Sequence, residues 1–146
     1  MRYKIRLSYD GNAFCGWQTQ NNARTVQGEL ENALQTLSGN CIQVTGAGRT
    51  DTGVSAINYI AHFEFPDEVR MEAAQLCYKL NAILPHEIAV QEISLCKAEF
   101  HARFDARSRE YHYFIHFCKD PFCNGFSYRM RHRLDLDKMN QAAAHL

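Results

Sequence analysis

The sequence predicts an α+β fold built on an antiparallel sheet, and three observations lead there. Residues 2–9, 58–65 and 88–95 alternate apolar and polar side chains with the period of a half-buried strand. Two stretches between them repeat apolar residues at helical spacing. A short apolar run at 41–45 adds a further strand, so the first 96 residues read strand, helix, strand, strand, helix, strand. That order is the ferredoxin-like split βαβ unit.

Each element has a local cause. In residues 2–9, Tyr3, Ile5, Leu7 and Tyr9 alternate with Arg2, Lys4, Arg6 and Ser8, and Asp10-Gly11-Asn12 ends the run. The loop Phe14-Cys15-Gly16-Trp17-Gln18 then carries the only tryptophan, which either stacks on a base or packs beneath the loop. Thr25 caps a helix that runs to Ser38, with Val26, Leu30, Ala33, Leu34 and Leu37 on its apolar face. Gly39-Asn40 stops it, and the strand at 41–45 leads into a glycine-rich loop. After the strand at 58–65, Asp67 or Glu68 opens a second helix with a stripe of Met71, Ala74, Leu76, Tyr78 and Leu80. Pro85 forbids its continuation, so it ends near 80–83. The strand at 88–95 completes the unit.

Residues 97–146 form a second section of loop, strand and helix. Tyr111, Tyr113, Ile115 and Phe117 share one side of an aromatic-rich strand and are expected to face a core. Asp135 or Asp137 opens a last helix through Leu136, Met139, Asn140, Ala143 and Leu146. Sheets of this kind usually leave one face open, and aromatic-bearing ones often hold single-stranded RNA.

The candidate site is Gly46-Ala47-Gly48-Arg49-Thr50-Asp51-Thr52-Gly53-Val54. Glycine costs order unless a backbone needs positive φ or close approach, so three in this stretch suggest a shaped loop. It presents the guanidinium of Arg49, suited to a phosphate or a base plane. Two residues on it presents the carboxylate of Asp51, which can act as nucleophile, base or electrostatic stabiliser. On spacing alone a tight turn with a surface ion pair is an equal reading. Neither G-x-G-x-x-G nor G-x-x-x-x-G-K-[ST] is present.

At 146 residues the chain suits one cored domain. Lys plus Arg and Asp plus Glu are both 16, so net charge gives no argument for nucleic acid, although arginines concentrate at 101–112 and 129–133. Six cysteines without C-x-x-C fit reduced thiols. His112, His116, Cys118 and Cys123 lack the spacing of a zinc module, so no metal site is expected. No window of about 18 apolar residues is present, so no membrane span is expected.

Five ordered blocks carry a resemblance. They are Tyr9-Asp10-Gly11 with Gly16-Trp17-Gln18; Val26-Gln27; the 47–54 loop; Asn81-Ala82 with Leu84-Pro85; and the run 100–106 leading into Arg109-Glu110-Tyr111-His112-Tyr113. In these the chain resembles the N-terminal half of the TruA-type tRNA pseudouridine synthases. The resemblance implies one half of the pseudouridine synthase fold: residues 1–96 carrying the catalytic loop, and 97–146 leading toward a C-terminal half.

It further implies that Asp51 is the catalytic nucleophile, converting uridine to pseudouridine in the anticodon stem-loop of tRNA. Arg49 would take the flipped-out nucleotide's place or hold Asp51 through a charge-assisted hydrogen bond. Tyr111 would lie against the target uracil. No cofactor is implied, and the expected partners are tRNA and a second copy in a homodimer, with no DNA and no membrane, in the cytoplasm. The 146 residues alone would be inactive, so binding of RNA or a partner without turnover is the second reading. The chain departs from the family pattern at Ser55, where a histidine is common. It departs again at Asn58-Tyr59, where Gly-Gln is common, and at Ile83, where asparagine is usual.

Overall fold

A computed structural model describes residues 1–69, 71–123 and 125–145, in two units, Met1–Ser108 and Arg109–Leu146. The first unit is the split βαβ unit. Its sheet runs β2 (Val44–Gly46), β3 (Ala56–Glu64), β1 (Arg2–Tyr9), β4 (Ile88–Leu95), with every neighbouring pair antiparallel. Helices α1 (Val26–Ser38) and α2 (Ala73–Ile83) supply the two crossovers.

The alternation of β1 sets the layering. Tyr3, Ile5, Leu7 and Tyr9 are all buried on one face. They register with Phe63, Ala61 and Tyr59 of β3 and with Ile93, Val90 and Ile88 of β4. Leu30, Leu34, Leu76 and Leu80 of the helices close the core over that face, and all four are fully buried. A Leu-to-Ala change at such a position typically costs about 2–5 kcal/mol. α1 begins and ends as its sequence requires. The Thr25 hydroxyl accepts from the Gly28 amide at 3.2 Å, and Gly39, at φ 73°, donates to the Gln35 carbonyl at 2.8 Å.

Where β4 bulges, Asn81 of α2 fastens helix to sheet. Its amide donates to the Val90 carbonyl and its carbonyl accepts from the Val90 amide, each at 2.8 Å. β4 is an edge strand of the sheet, so its outward backbone groups have no strand neighbour, and a single Asn satisfies both of those on Val90.

Within the first unit, the bounds of two elements and the stripe of α2 require correction. α2 starts at Ala73 behind Glu72, not at Asp67 or Glu68. Asp67 is drawn into the turn after β3, where it takes the N-terminal ammonium at 2.7 Å and Val69 donates to the Pro66 carbonyl. The helical stripe is also displaced: Leu76 and Leu80 are buried, with Ala73 and Cys77 beside them, whereas Tyr78 is 77% exposed. Two residues from Leu76 is more than half a turn, which carries Tyr78 to the far side. The strand expected at 41–45 forms at Val44–Gly46, because Ile42 joins the core without joining the ladder.

The uncovered sheet face differs from the RNA-type aromatic platform. It bears Arg2, Lys4, Arg6, His62, Glu64 and Glu92, while the aromatic residues lie on the helix side. Residues 97–105 fold back over one end of it. Phe100 accepts from Arg2 at 2.9 Å, and Ala102, itself buried, donates to Nδ1 of buried His62 at 3.1 Å. That bond needs a neutral ring.

Burial, with the nearby His101 and Arg2, holds the His62 pKa below its ordinary 6.5. The unfolded chain therefore binds the proton more readily than the folded one. The stabilisation is present above the unfolded pKa and is lost as pH falls through the folded one. Thermal melting of the complete protein between about pH 7.5 and 5 should show a larger fall in midpoint for wild type than for His62→Gln, whose side-chain carbonyl can accept from Ala102.

The second unit contains β5 (Ile115–His116) paired in parallel with β6 (Tyr128–Arg129), and helix α3 (Leu136–Ala143). Asp135 caps α3 by accepting from the Lys138 amide at 3.1 Å, and Leu146 lies outside the described residues. The long aromatic strand with a core face is not observed. Only two residues pair, and Tyr111, Tyr113 and Phe117 are exposed. None of the described apolar side chains of this unit is buried, so a core face has nothing to form against within it.

Candidate active site

The glycine-rich loop leaves the sheet at the end of β2 and returns at β3, and its course is set by three aromatic residues beneath it. Trp17 is buried, its ring 4.3 Å from that of Tyr59 and 6.1 Å from that of Tyr9. This settles the two readings of the tryptophan: it packs under the loop. Gly46 lies directly over it. A Cβ there would meet Trp17 Cε2 at 2.6 Å and the Tyr59 hydroxyl, so only glycine lets the strand pass.

The backbone of the loop is then held at successive points. Ala47 donates to the Ile60 carbonyl at 2.8 Å, the last bond of the β2–β3 pairing. Gly48 donates to the Tyr59 hydroxyl at 3.2 Å, and that hydroxyl donates to the Gly48 carbonyl. The Trp17 amide donates to the Thr50 carbonyl at 3.1 Å, and the Tyr9 hydroxyl and Thr50 Oγ1 share a hydrogen bond of 2.9 Å. Burial raises the Tyr9 pKa, with the Thr50 bond opposing, so the phenol stays protonated. Val54 donates to the Asp51 carbonyl at 3.1 Å, closing a turn whose third residue, Gly53, has φ 82°.

On this anchored backbone Arg49 and Asp51 are both exposed. Among the described residues no hydrogen bond or ion pair joins them, so the surface ion pair of the tight-turn reading is not formed. What the loop offers is a guanidinium and a carboxylate pointing into solvent from a fixed base. Such an arrangement can bind an anionic ligand and deliver a carboxylate to it. Tyr111, 63% exposed, belongs to the second unit.

The departures at Ser55 and Asn58 have structural explanations. Ser55 Oγ accepts from the Gly11 amide at 3.0 Å and donates to Asp10 at 3.4 Å, tying the loop's exit to the turn after β1. Asn58 stands at φ 56°, at the irregularity where β3 slips against β1 between Leu7 and Tyr9. Asparagine tolerates that left-handed conformation better than most residues. Arg6 holds its side chain at 3.0 Å, and its amide donates to Ser8 Oγ at 3.2 Å. Ile83 is the last residue of α2 and 44% exposed.

Reasoning from the sequence missed the roles of Tyr9 and Tyr59 as anchors. Their only signal was the strand alternation, which marked both for the covered face. The described residues bring together no three His, Cys, Asp or Glu side chains able to hold a metal ion, and no described helix is long and apolar enough to cross a membrane.

A split βαβ unit that carries an anchored Gly-Arg-Thr-Asp loop at its sheet end defines an α+β protein with an exposed carboxylate site. The family model described as tRNA pseudouridine synthase matches residues 6–105, and the chain belongs to that family. It is 45% identical over 143 residues to tRNA pseudouridine synthase A of Porphyromonas gingivalis, covering 98% of this chain and 57% of that protein. To the protein of the same name from Bacillus subtilis it is 43% identical over 150 residues, covering all of this chain and 60% of the relative. To that of Chlamydia muridarum it is 39% identical over 145 residues, covering 97% and 54%. The chain thus spans a little more than half the length of these relatives.

Proposed function

We propose that the complete protein isomerises uridine to pseudouridine in the anticodon stem-loop of tRNA, with Asp51 as the catalytic nucleophile. The observation that supports this most is the loop itself, in which Asp51 is exposed on a backbone bonded on both sides of Arg49. The reaction conserves atoms. The bond from ribose C1′ to uracil N1 breaks, the base turns, C1′ bonds to C5, and the proton of C5 leaves to solvent while N1 gains one. The Asp51 carboxylate either attacks to release the base or assists the cleavage, and no cofactor takes part.

Arg49 would take the place of the flipped-out nucleotide or hold Asp51 through a charge-assisted hydrogen bond once substrate is bound, and Tyr111 would lie against the uracil. The protein would work in the cytoplasm as a homodimer on tRNA. The 146-residue chain, which is little more than half the relatives' length, would bind tRNA without turning it over. Incubating tRNA with the complete protein and with the 146-residue chain tests this. The complete protein should place pseudouridine in the anticodon arm, and the shorter chain should shift tRNA in a gel without product. Pseudouridine confined to another arm would refute the assigned substrate region. Product from the shorter chain would refute the need for the remainder.

A further inference from the structure

The pairing of β2 with β3 ends at Ala47, where the chain must leave the sheet to present Arg49 and Asp51. Gly48 is the first residue past that point, and its amide and carbonyl have lost the neighbouring strand. Both are taken up by one side chain: the Tyr59 hydroxyl accepts from the Gly48 amide at 3.2 Å and donates to the Gly48 carbonyl. The phenol does for Gly48 what a strand would have done.

The ring that carries this hydroxyl is itself held. It lies 4.3 Å from Trp17 and 5.7 Å from Tyr9, both buried. On the other side of Arg49, Thr50 is held by the Tyr9 hydroxyl and the Trp17 amide. Arg49 is therefore bracketed by two residues fixed to the same aromatic cluster, and Asp51 follows the second of them.

The geometry points to Tyr59 as a positioning residue for the reaction: its hydroxyl sets where the segment from Gly48 to Asp51 leaves the sheet. This rests on the reading of Asp51 as the reacting carboxylate. Tyr59 acts through Gly48, and a displacement of the reacting group by a fraction of an ångström is enough to lower turnover.

The variant Tyr59→Phe in the complete protein keeps the ring against Trp17 and removes only the hydroxyl. We expect kcat on tRNA to fall about tenfold, with KM and the melting midpoint close to wild type. Hydrogen exchange should also quicken at the Val54 amide, which is bonded to the Asp51 carbonyl, and stay unchanged at Ala61 within β3. Wild-type kcat, or a loss of kcat matched by a lower melting midpoint, would overturn the assignment. Asp51→Asn serves as the control: if it retains turnover, the reading of Asp51 falls. The Val54 exchange still decides the clamp in that case, since unchanged protection in Tyr59→Phe refutes it.

Discussion

Asp51→Asn in the complete protein is expected to lower kcat for pseudouridine formation by about 10⁴ or more, the scale seen when a nucleophile is removed from a catalytic constellation. Two features set that expectation. The Asp51 side chain is exposed and makes no hydrogen bond or ion pair among the described residues, so its amide isostere costs the fold nothing. An amide is no nucleophile at neutral pH, and the neighbouring Thr50 hydroxyl is engaged with Tyr9. Loss of kcat should therefore come with wild-type tRNA affinity and wild-type melting, and single-turnover kinetics with a binding titration measures both.

Gly16→Ala carries the second large effect, on stability. Gly16 has φ 83°, and a Cβ built there lies 2.5 Å from the Thr50 carbonyl oxygen. The left-handed conformation costs a non-glycine residue about 1–2 kcal/mol. The clash is with backbone, which no rotamer change relieves, and such overpacking adds about 1–3 kcal/mol. Thr50 cannot retreat without breaking its bonds to the Trp17 amide and the Tyr9 hydroxyl. A total near 3 kcal/mol corresponds to a fall of roughly 6–12 °C in melting midpoint for a protein of about 150–250 residues. Calorimetry on the complete protein checks it, and a fall of less than 2 °C would show that the loop yields where the geometry says it cannot.

The fold was legible where a residue's signal is local. β1 and β4 announce themselves by alternation that a single covered face requires, and α1 by the capping Thr25 and the terminating Gly39. The start of α2 was not legible, because Asp67 answers to the N-terminal ammonium 66 residues away and not to its own helix. The aromatic alternation around Tyr111 misled for a related reason: alternation specifies a strand only where a partner ladder and a covered face exist, and the second unit provides neither for those residues.

The site divides in the same way. Its reactive groups stand in one short stretch, and the glycines around Arg49 and Asp51 mark that stretch as shaped. What shapes it is distant in sequence. Tyr9 meets Thr50 across 41 residues and Tyr59 meets Gly48 across 11, and both tyrosines look like ordinary core positions of their strands. The resemblance to a family marked Tyr59 as a departure, but a hydroxyl that bridges both backbone groups of Gly48 is visible only in three dimensions.

The central claim is that the loop holds Asp51 as the reacting carboxylate. Its most direct test is a nucleotide-resolution map of pseudouridine in one tRNA treated in parallel with the complete wild-type protein and with Asp51→Asn, at concentrations where both are bound. The expected result is pseudouridine in the anticodon arm with wild type and none with the variant. Pseudouridine at the same positions with Asp51→Asn would contradict the account.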